Sequence, residues 1–177
     1  AKMRLVSWQK LIDRLANESE EVKLREVNRF FNQARFIDDI DHWGQNDYWA
    51  TPVELLITNG ADCEDYSIAK YYTLKELGVP IEKMSIAYVK ALTLNQAHMV
   101  LTYYKTPTSV PVVLDNLIGE IKPAPERRDL KYVYSFNGDN IWVSRKGPRT
   151  KLVGTSDRLK LWVRLQSRIK DQQVNAK

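Results

Sequence analysis

Cys63 is the only thiol in this 177-residue chain, and two residues downstream can serve it. His98 lies 35 positions after the cysteine and Asp115 lies 52 positions after it. Nucleophilic catalysis needs a nucleophile, a base, and a group that orients the base. Asp62, with Asp65 three positions later, reads as a helix cap with a loose capping box, which places Cys63 in a first helical turn. There the positive end of the helix dipole favours thiolate. His98 opens the β-rich stretch His98-Met99-Val100-Leu101, and Asp115 follows Pro111-Val112-Val113-Leu114. A helix-borne cysteine packed across a sheet whose adjacent strands carry His and Asp is a papain-like arrangement. His98 would take the thiol proton and Asp115 would fix its tautomer. A lone cysteine is more often a small buried hydrophobe. The acids around Cys63 and the polar breaks at His98 and Asp115 argue against that here.

Those acids raise a second question. Asp62, Glu64 and Asp65 surround the thiol, and nearby anions push a thiol pKa upward. A bound cation reverses that penalty. Carboxylate clusters without histidine or thiolate partners favour calcium. The loop Gln45–Tyr48, with Asp47, would complete an oxygen shell. The EF-hand pattern is absent, and a solvated acidic helix start explains the same residues equally well at this level. His42, in the Asp-rich stretch, is either a second base or a turn residue. Trp43 and Trp49 flank the loop as core or as cleft wall.

Composition narrows the field. One cysteine forbids an internal disulfide framework and any thiolate-rich metal site, and two histidines leave little for a histidine centre. Seven glycines form no phosphate-cradling loop, and no apolar run reaches 18 residues. The net charge of +5 divides unevenly. Residues 1–120 carry 13 Lys+Arg against 17 Asp+Glu, and residues 121–177 carry 14 against 5. A basic end admits nucleic acid or anionic surfaces as partners, although a solvated face explains it more simply. The chain starts at Ala1 without an apolar leader, so a secretory signal is expected to be either lacking or already removed.

The elements that must position these residues read as α+β. Leu5, Trp8, Leu11, Ile12 and Leu15 line one helix. Val22, Leu24, Val27, Phe30, Phe31 and Ala34 line a second, begun by Ser19 and Glu20-Glu21, and the two form a hairpin over residues 1–36. Residues 37–53 have no period and read as a loop. Thr51-Pro52 caps a short helix, and a central helix runs from Cys63 to the stop at Gly78 and Pro80. About five mostly antiparallel strands follow, at Ser85–Ala91, His98–Tyr104, Val110–Leu117, Tyr132–Phe136 and Ile141–Arg145. The last two flank Asn137-Gly138 as a hairpin. A helix is expected over Asp157–Gln173, with Leu159, Trp162, Val163, Leu165 or Gln166, and Ile169 inward. The chain is read as one domain, residues 1–177, with a catalytic core at 37–154 and a C-terminal helix at 155–177.

The stretches Trp43-Gly44-Gln45-Asn46-Asp47-Tyr48-Trp49-Ala50-Thr51-Pro52 and Gly60-Ala61-Asp62-Cys63-Glu64-Asp65-Tyr66-Ser67-Ile68-Ala69-Lys70-Tyr71 resemble the bacterial transglutaminase-like cysteine proteinases of the LapG type. Gln96-Ala97-His98-Met99-Val100-Leu101 and Val113-Leu114-Asp115-Asn116-Leu117 continue the resemblance in the same order, essentially along the whole chain. Ala61 departs from it, since the family often has a second glycine there. The resemblance implies a papain/transglutaminase-like fold and a periplasmic, calcium-dependent endopeptidase. Such an enzyme cuts a large surface adhesin near its N-terminus at a paired-alanine motif and so releases biofilm cells. It implies Cys63, His98 and Asp115 as the triad and sets Asp62, Glu64 and Asp65 in the family's calcium segment, to which the loop reading above adds Asp47 as a metal ligand. The implied inhibitory partner is an inner-membrane cyclic-di-GMP receptor, with no nucleic acid and no direct membrane insertion, and the chain would be the mature form. The alternative is a transglutaminase-like acyl transferase using the same triad. A binding module built on the basic end is a third reading, and its nucleic-acid affinity would fall steeply with salt.

Overall fold

The structure is a computed structural model that describes residues 1–144 and 150–175. Six α-helices are α1 (Lys2–Leu15), α2 (Glu20–Phe31), α3 (Asp39–Trp43), α4 (Pro52–Thr58), α5 (Cys63–Glu76) and α6 (Lys160–Asn175). The strands are β1 (Arg35–Phe36), β2 (Gly60–Ala61), β3 (Met84–Ala91), β4 (Gln96–Tyr103), β5 (Val112–Leu114), β6 (Lys122–Pro123), β7 (Leu130–Phe136), β8 (Asn140–Ser144) and β9 (Thr150–Thr155). Strands β3 to β9 form one antiparallel sheet in the order β6-β5-β4-β3-β7-β8-β9, and β1 pairs with β2 in parallel. Helices packed on an antiparallel sheet are the expected α+β class.

Local chemistry explains where the helices start and stop. The Ser19 hydroxyl accepts the Val22 N–H. At α4, Thr51 and Glu54 form a full capping box ahead of Pro52, and Asn59 ends the helix at φ 59°. Gly78, at φ +82°, follows α5 in a conformation that other residues adopt at a cost. Ala61 has no positive φ, so its backbone makes no demand for a glycine at this position.

Helix α5 is buried nearly all round, because α2 and α4 flank it and the sheet lies beneath it. Trp8 of α1 donates its indole N–H to Thr73 Oγ1 at 2.9 Å. Helices α1 and α2 touch each other, but α1 packs more on α4, and α2 more on α5. One contiguous core runs from Leu11 and Leu15 through Ile68, Leu74, Leu101 and Phe136 to Trp162. Trp162 is fully buried against Tyr71, Tyr72 and Phe136, with ring centroids 5.1 to 5.7 Å apart.

Among the described residues the sheet has seven strands where about five were expected. β6 is two residues ending in a proline, too short to alternate. β9 lies at the sheet edge with Leu152 and Val153 exposed, so it shows no buried face to read. The expected end of β8 at Arg145 lies outside the described residues. Helix α6 begins at Lys160 rather than Asp157, after a 3-10 turn over Ser156–Arg158. Trp162 and Leu165 face the core as expected, whereas Val163 is exposed, being one step round the helix from Trp162. Among the described residues no helix is long and apolar enough to cross a membrane.

Candidate active site

Cys63 is the first residue of α5, at the mouth of a cleft of about 530 Å³. His98, in β4, lines the same cleft, and Asp115 follows β5, the strand next to β4. His98 Nε2 lies 2.7 Å from Asp115 Oδ1, with both side chains almost wholly buried. That bond leaves Nδ1 as the ring nitrogen available to a thiol. Asp115 Oδ1 also accepts the Leu117 N–H at 3.1 Å, and Asn32 Nδ2 donates to the Asp115 main-chain oxygen at 2.8 Å. Burial pushes the Asp115 carboxyl upward, but hydrogen bonds from His98 and Arg127 outweigh it and hold the group below its ordinary range.

The thiol itself is electrostatically hindered. Cys63 Sγ donates to Glu64 Oε2 at 3.3 Å. Burial first, then the charges of Glu64 and Asp62, push the thiol far up, while the Met99 backbone opposes them weakly. The acids are strained likewise. Asp62 is pushed up to about 10 by burial and by Glu64, and Glu64 to about 7 by burial. Carboxylates brought this close in a buried place repel one another, and a cation among them would relieve that repulsion.

The cluster is not the one expected in full. Asp39, Asp62 and Glu64 bring carboxylate oxygens within 4.8 Å of one another. Asp39 Oδ1 and Asp62 Oδ1 are buried with no hydrogen-bond partner among the described residues. Asp65 stands outside this group, because its oxygens accept the N–H groups of Ala50, at 2.7 Å, and Asp62, at 3.4 Å. Asp47 stands outside it too, at the cleft edge, with Oδ1 on Trp49 Nε1 at 3.0 Å. Asp39 was missed because Asp38, Asp39 and Asp41 are indistinguishable in sequence. Only the turn of α3 buries the middle one and sets its Oδ2 on the Tyr48 N–H. Hard oxygen donors with orphaned lone pairs suit calcium rather than zinc.

Other residues frame the cleft. Trp49, Tyr88 and Tyr134 wall it, and Arg158 and Lys160 stand at its rim. Trp43 leans on Tyr48 instead, with ring centroids 4.6 Å apart and planes tilted by 37°, and does not line the cleft. His42 packs on Trp43 and against Gly60, where a Cβ would sit 2.9 Å from its ring, so its place is structural. Arg168 of α6 reaches back to the acidic loop, bonding Tyr48 Oη, the Trp49 carbonyl and Glu54, with the Glu54 Oε2 contact at 3.0 Å. Arg127 bonds Asp115 Oδ2 at 2.6 Å. Neither arginine was anticipated. Arg127-x-Asp129 spacing is a weak signal for the second, and the first leaves none.

Residues 8–149 match the family described as bacterial transglutaminase-like cysteine proteinase. Among solved structures, LapG of Legionella pneumophila in its EGTA-treated form is 43% identical, with a TM-score of 0.85, over 94% of this chain and 88% of that one. The calcium-bound form of the same protein is 42% identical, with a TM-score of 0.83, over 94% and 90%. Curated proteins gave no match.

Proposed function

This chain belongs to the bacterial transglutaminase-like cysteine proteinases, and from that premise we propose that it is a calcium-dependent endopeptidase working through Cys63, His98 and Asp115. The observation that supports this most is the 2.7 Å His98–Asp115 hydrogen bond beside a cleft that Cys63 also lines. His98 Nδ1 takes the Cys63 proton and the thiolate attacks a peptide carbonyl. The imidazolium returns the proton to the departing amine, leaving an acyl-enzyme. Water, deprotonated by His98, then releases the acid and restores the thiol. The Cys63 N–H at the helix start and a donor from the Gln45–Trp49 loop, with Asn46 at the cleft, receive the oxyanion.

Asp39, Asp62 and Glu64 hold the metal in this reading, and Asp65 braces the loop around it. Bound there, calcium supplies the positive charge that offsets the anions beside the thiol. The calcium-bound and EGTA-treated forms of the Legionella relative support calcium as the ion. The substrate class follows the family resemblance: a large surface adhesin cut near its N-terminus at paired alanines, in the periplasm, so that biofilm cells are released. An inner-membrane cyclic-di-GMP receptor is the inhibitory partner in the same reading.

The test incubates an adhesin N-terminal fragment with the protein, with and without a chelator, beside Cys63→Ala. Cleavage lost in both the chelated sample and the variant is the expected result. Cleavage by Cys63→Ala sinks the thiol mechanism, and cleavage after exhaustive chelation sinks the calcium role. With an amine added, a free carboxylate product marks hydrolysis and a stable amide adduct marks acyl transfer.

A further inference from the structure

Asp115 is a carboxylate with no solvent exposure, and its two oxygens are used differently. Oδ1 is shared by His98 Nε2 and the Leu117 N–H. Oδ2 is bound by Arg127 Nη2 at 2.6 Å, and the Arg127 side chain is 2% exposed. We infer that Arg127 is a positioning residue of this site, holding the Asp115 carboxylate in the orientation that presents Oδ1 to His98. The inference rests on the Cys63–His98–Asp115 reading.

The guanidinium is itself held from two directions. Its Nε donates to Asp129 Oδ1 at 3.0 Å and its Nη2 to Asp129 Oδ2 at 2.8 Å. The backbone fixes it as well. The Arg127 N–H donates to the Ala124 carbonyl at 3.1 Å, and the Ala124 N–H to the Pro111 carbonyl at 2.9 Å, pinning this turn to the start of β5. The Leu92 N–H donates to the Asp129 carbonyl at 2.7 Å, tying the far end to the β3–β4 turn. Arg127 thus spans the two segments that carry Asp115 and lead into His98. A planar fork can grip Asp129 through two nitrogens while one of them also reaches Asp115, which a lysine ammonium on a flexible stem cannot do. Neutralising a buried charge needs only a cation. Holding one oxygen of a carboxylate so that the other stays on an imidazole needs this geometry.

Without Arg127, Oδ2 is a desolvated and unpaired acceptor, and rotation of the carboxylate or its protonation removes the acceptor from His98 Nε2–H. The loss should appear in turnover. Losing the orienting carboxylate of a serine triad costs about 10⁴-fold, so a residue acting through Asp115 should cost less.

The experiment uses the full chain with saturating calcium and an adhesin fragment spanning the cut. Arg127→Ala is expected to lower kcat about 10- to 100-fold with KM changed by less than about twofold. Added guanidinium should restore part of that kcat saturably, where methylammonium does not, and Arg127→Lys should stay impaired. The downfield proton resonance of His98 Nε2–H should shift or vanish in Arg127→Ala. In an Asp115→Asn background, Arg127→Ala should bring little further loss. If Arg127→Ala does not fold, Arg127→Met, closer in volume, carries the same readouts. A folded variant with wild-type kcat, or a loss confined to KM, overturns the inference. Wild-type cleavage by Asp115→Asn would instead overturn the triad reading on which it stands.

Discussion

The Asp65 carboxylate receives the main-chain N–H of Ala50 at 2.7 Å, binding the first turn of α5 to the loop that precedes α4. Asp65 is fully buried and Ala50 is 1% exposed, so water cannot take over that bond. Asp65→Ala should therefore destabilise the protein by about 1 to 3 kcal/mol, the cost of an unsatisfied buried N–H. Urea denaturation measures it, and Asp65→Asn, which keeps an acceptor oxygen, should lose less. Equal stability of Asp65→Ala and the parent would show that the tie is idle.

Asp39 should matter more for calcium than Asp47. A ligand that binds only the folded state adds about 2.7 kcal/mol at a hundred times its Kd. Thermal unfolding with and without calcium should show such a gain in the parent and little of it in Asp39→Ala. Asp47→Ala should keep most of it, since Asp47 lies outside the cluster and serves Trp49. Equal losses in the two variants would remove Asp39 from the ligand set.

Lys70 offers a separate signature. It is 1% exposed in α5, with Nζ 5.8 Å from the centre of the Tyr66 ring. Burial pushes the ammonium down to about 7, against the opposing pull of Asp115. The unfolded chain holds that proton up to about pH 10.4 and the folded chain only to about 7. Between these values the unfolded state binds more protons, so the Lys70 contribution to stability rises with pH there. Lys70→Met should be more stable than the parent near pH 7, with the advantage shrinking towards pH 10. A constant difference in denaturation midpoint across that range would contradict this.

Asp115→Asn should lower kcat by about 10² to 10⁴-fold, because the amide fixes the wrong imidazole tautomer and turns a donor towards His98 or Arg127. The depressed Asp115 pKa makes a second check. Its contribution to stability is present above the unfolded value near 3.9 and is lost as pH falls through the lower folded value. Acid unfolding curves of parent and variant should therefore converge below about pH 4.

What could be read in the chain was whatever local chemistry dictates. Thr51-Pro52, Asp62 and Gly78 announced helix ends because caps and stops are short-range, and α1 and α2 announced their faces by period. The Asn137-Gly138 pair signalled the right hairpin through a different device. Gly138 is not left-handed; Asn137 Oδ1 accepts the N–H groups of Asp139 at 2.9 Å and Asn140 at 3.0 Å. Asp39 and Arg127 were illegible for a common reason. Arg127 meets Asp115 across a turn of 12 residues, and Asp39 meets Asp62 and Glu64 across two intervening elements, in segments without period, so only the assembled sheet and loop bring the groups together.

The grip of Arg168 on the acidic loop has a consequence for the order in which the site is assembled. Its partner Tyr48 lies 120 residues upstream, so the loop beside the nucleophile is complete only once α6 has docked. A chain truncated before Lys160 should hold Cys63, His98 and Asp115 yet react more sluggishly with a thiol-directed probe than the chain that includes α6. The distance between Tyr48 and Arg168 along the chain thus makes the acidic loop one of the later parts of the site to be completed.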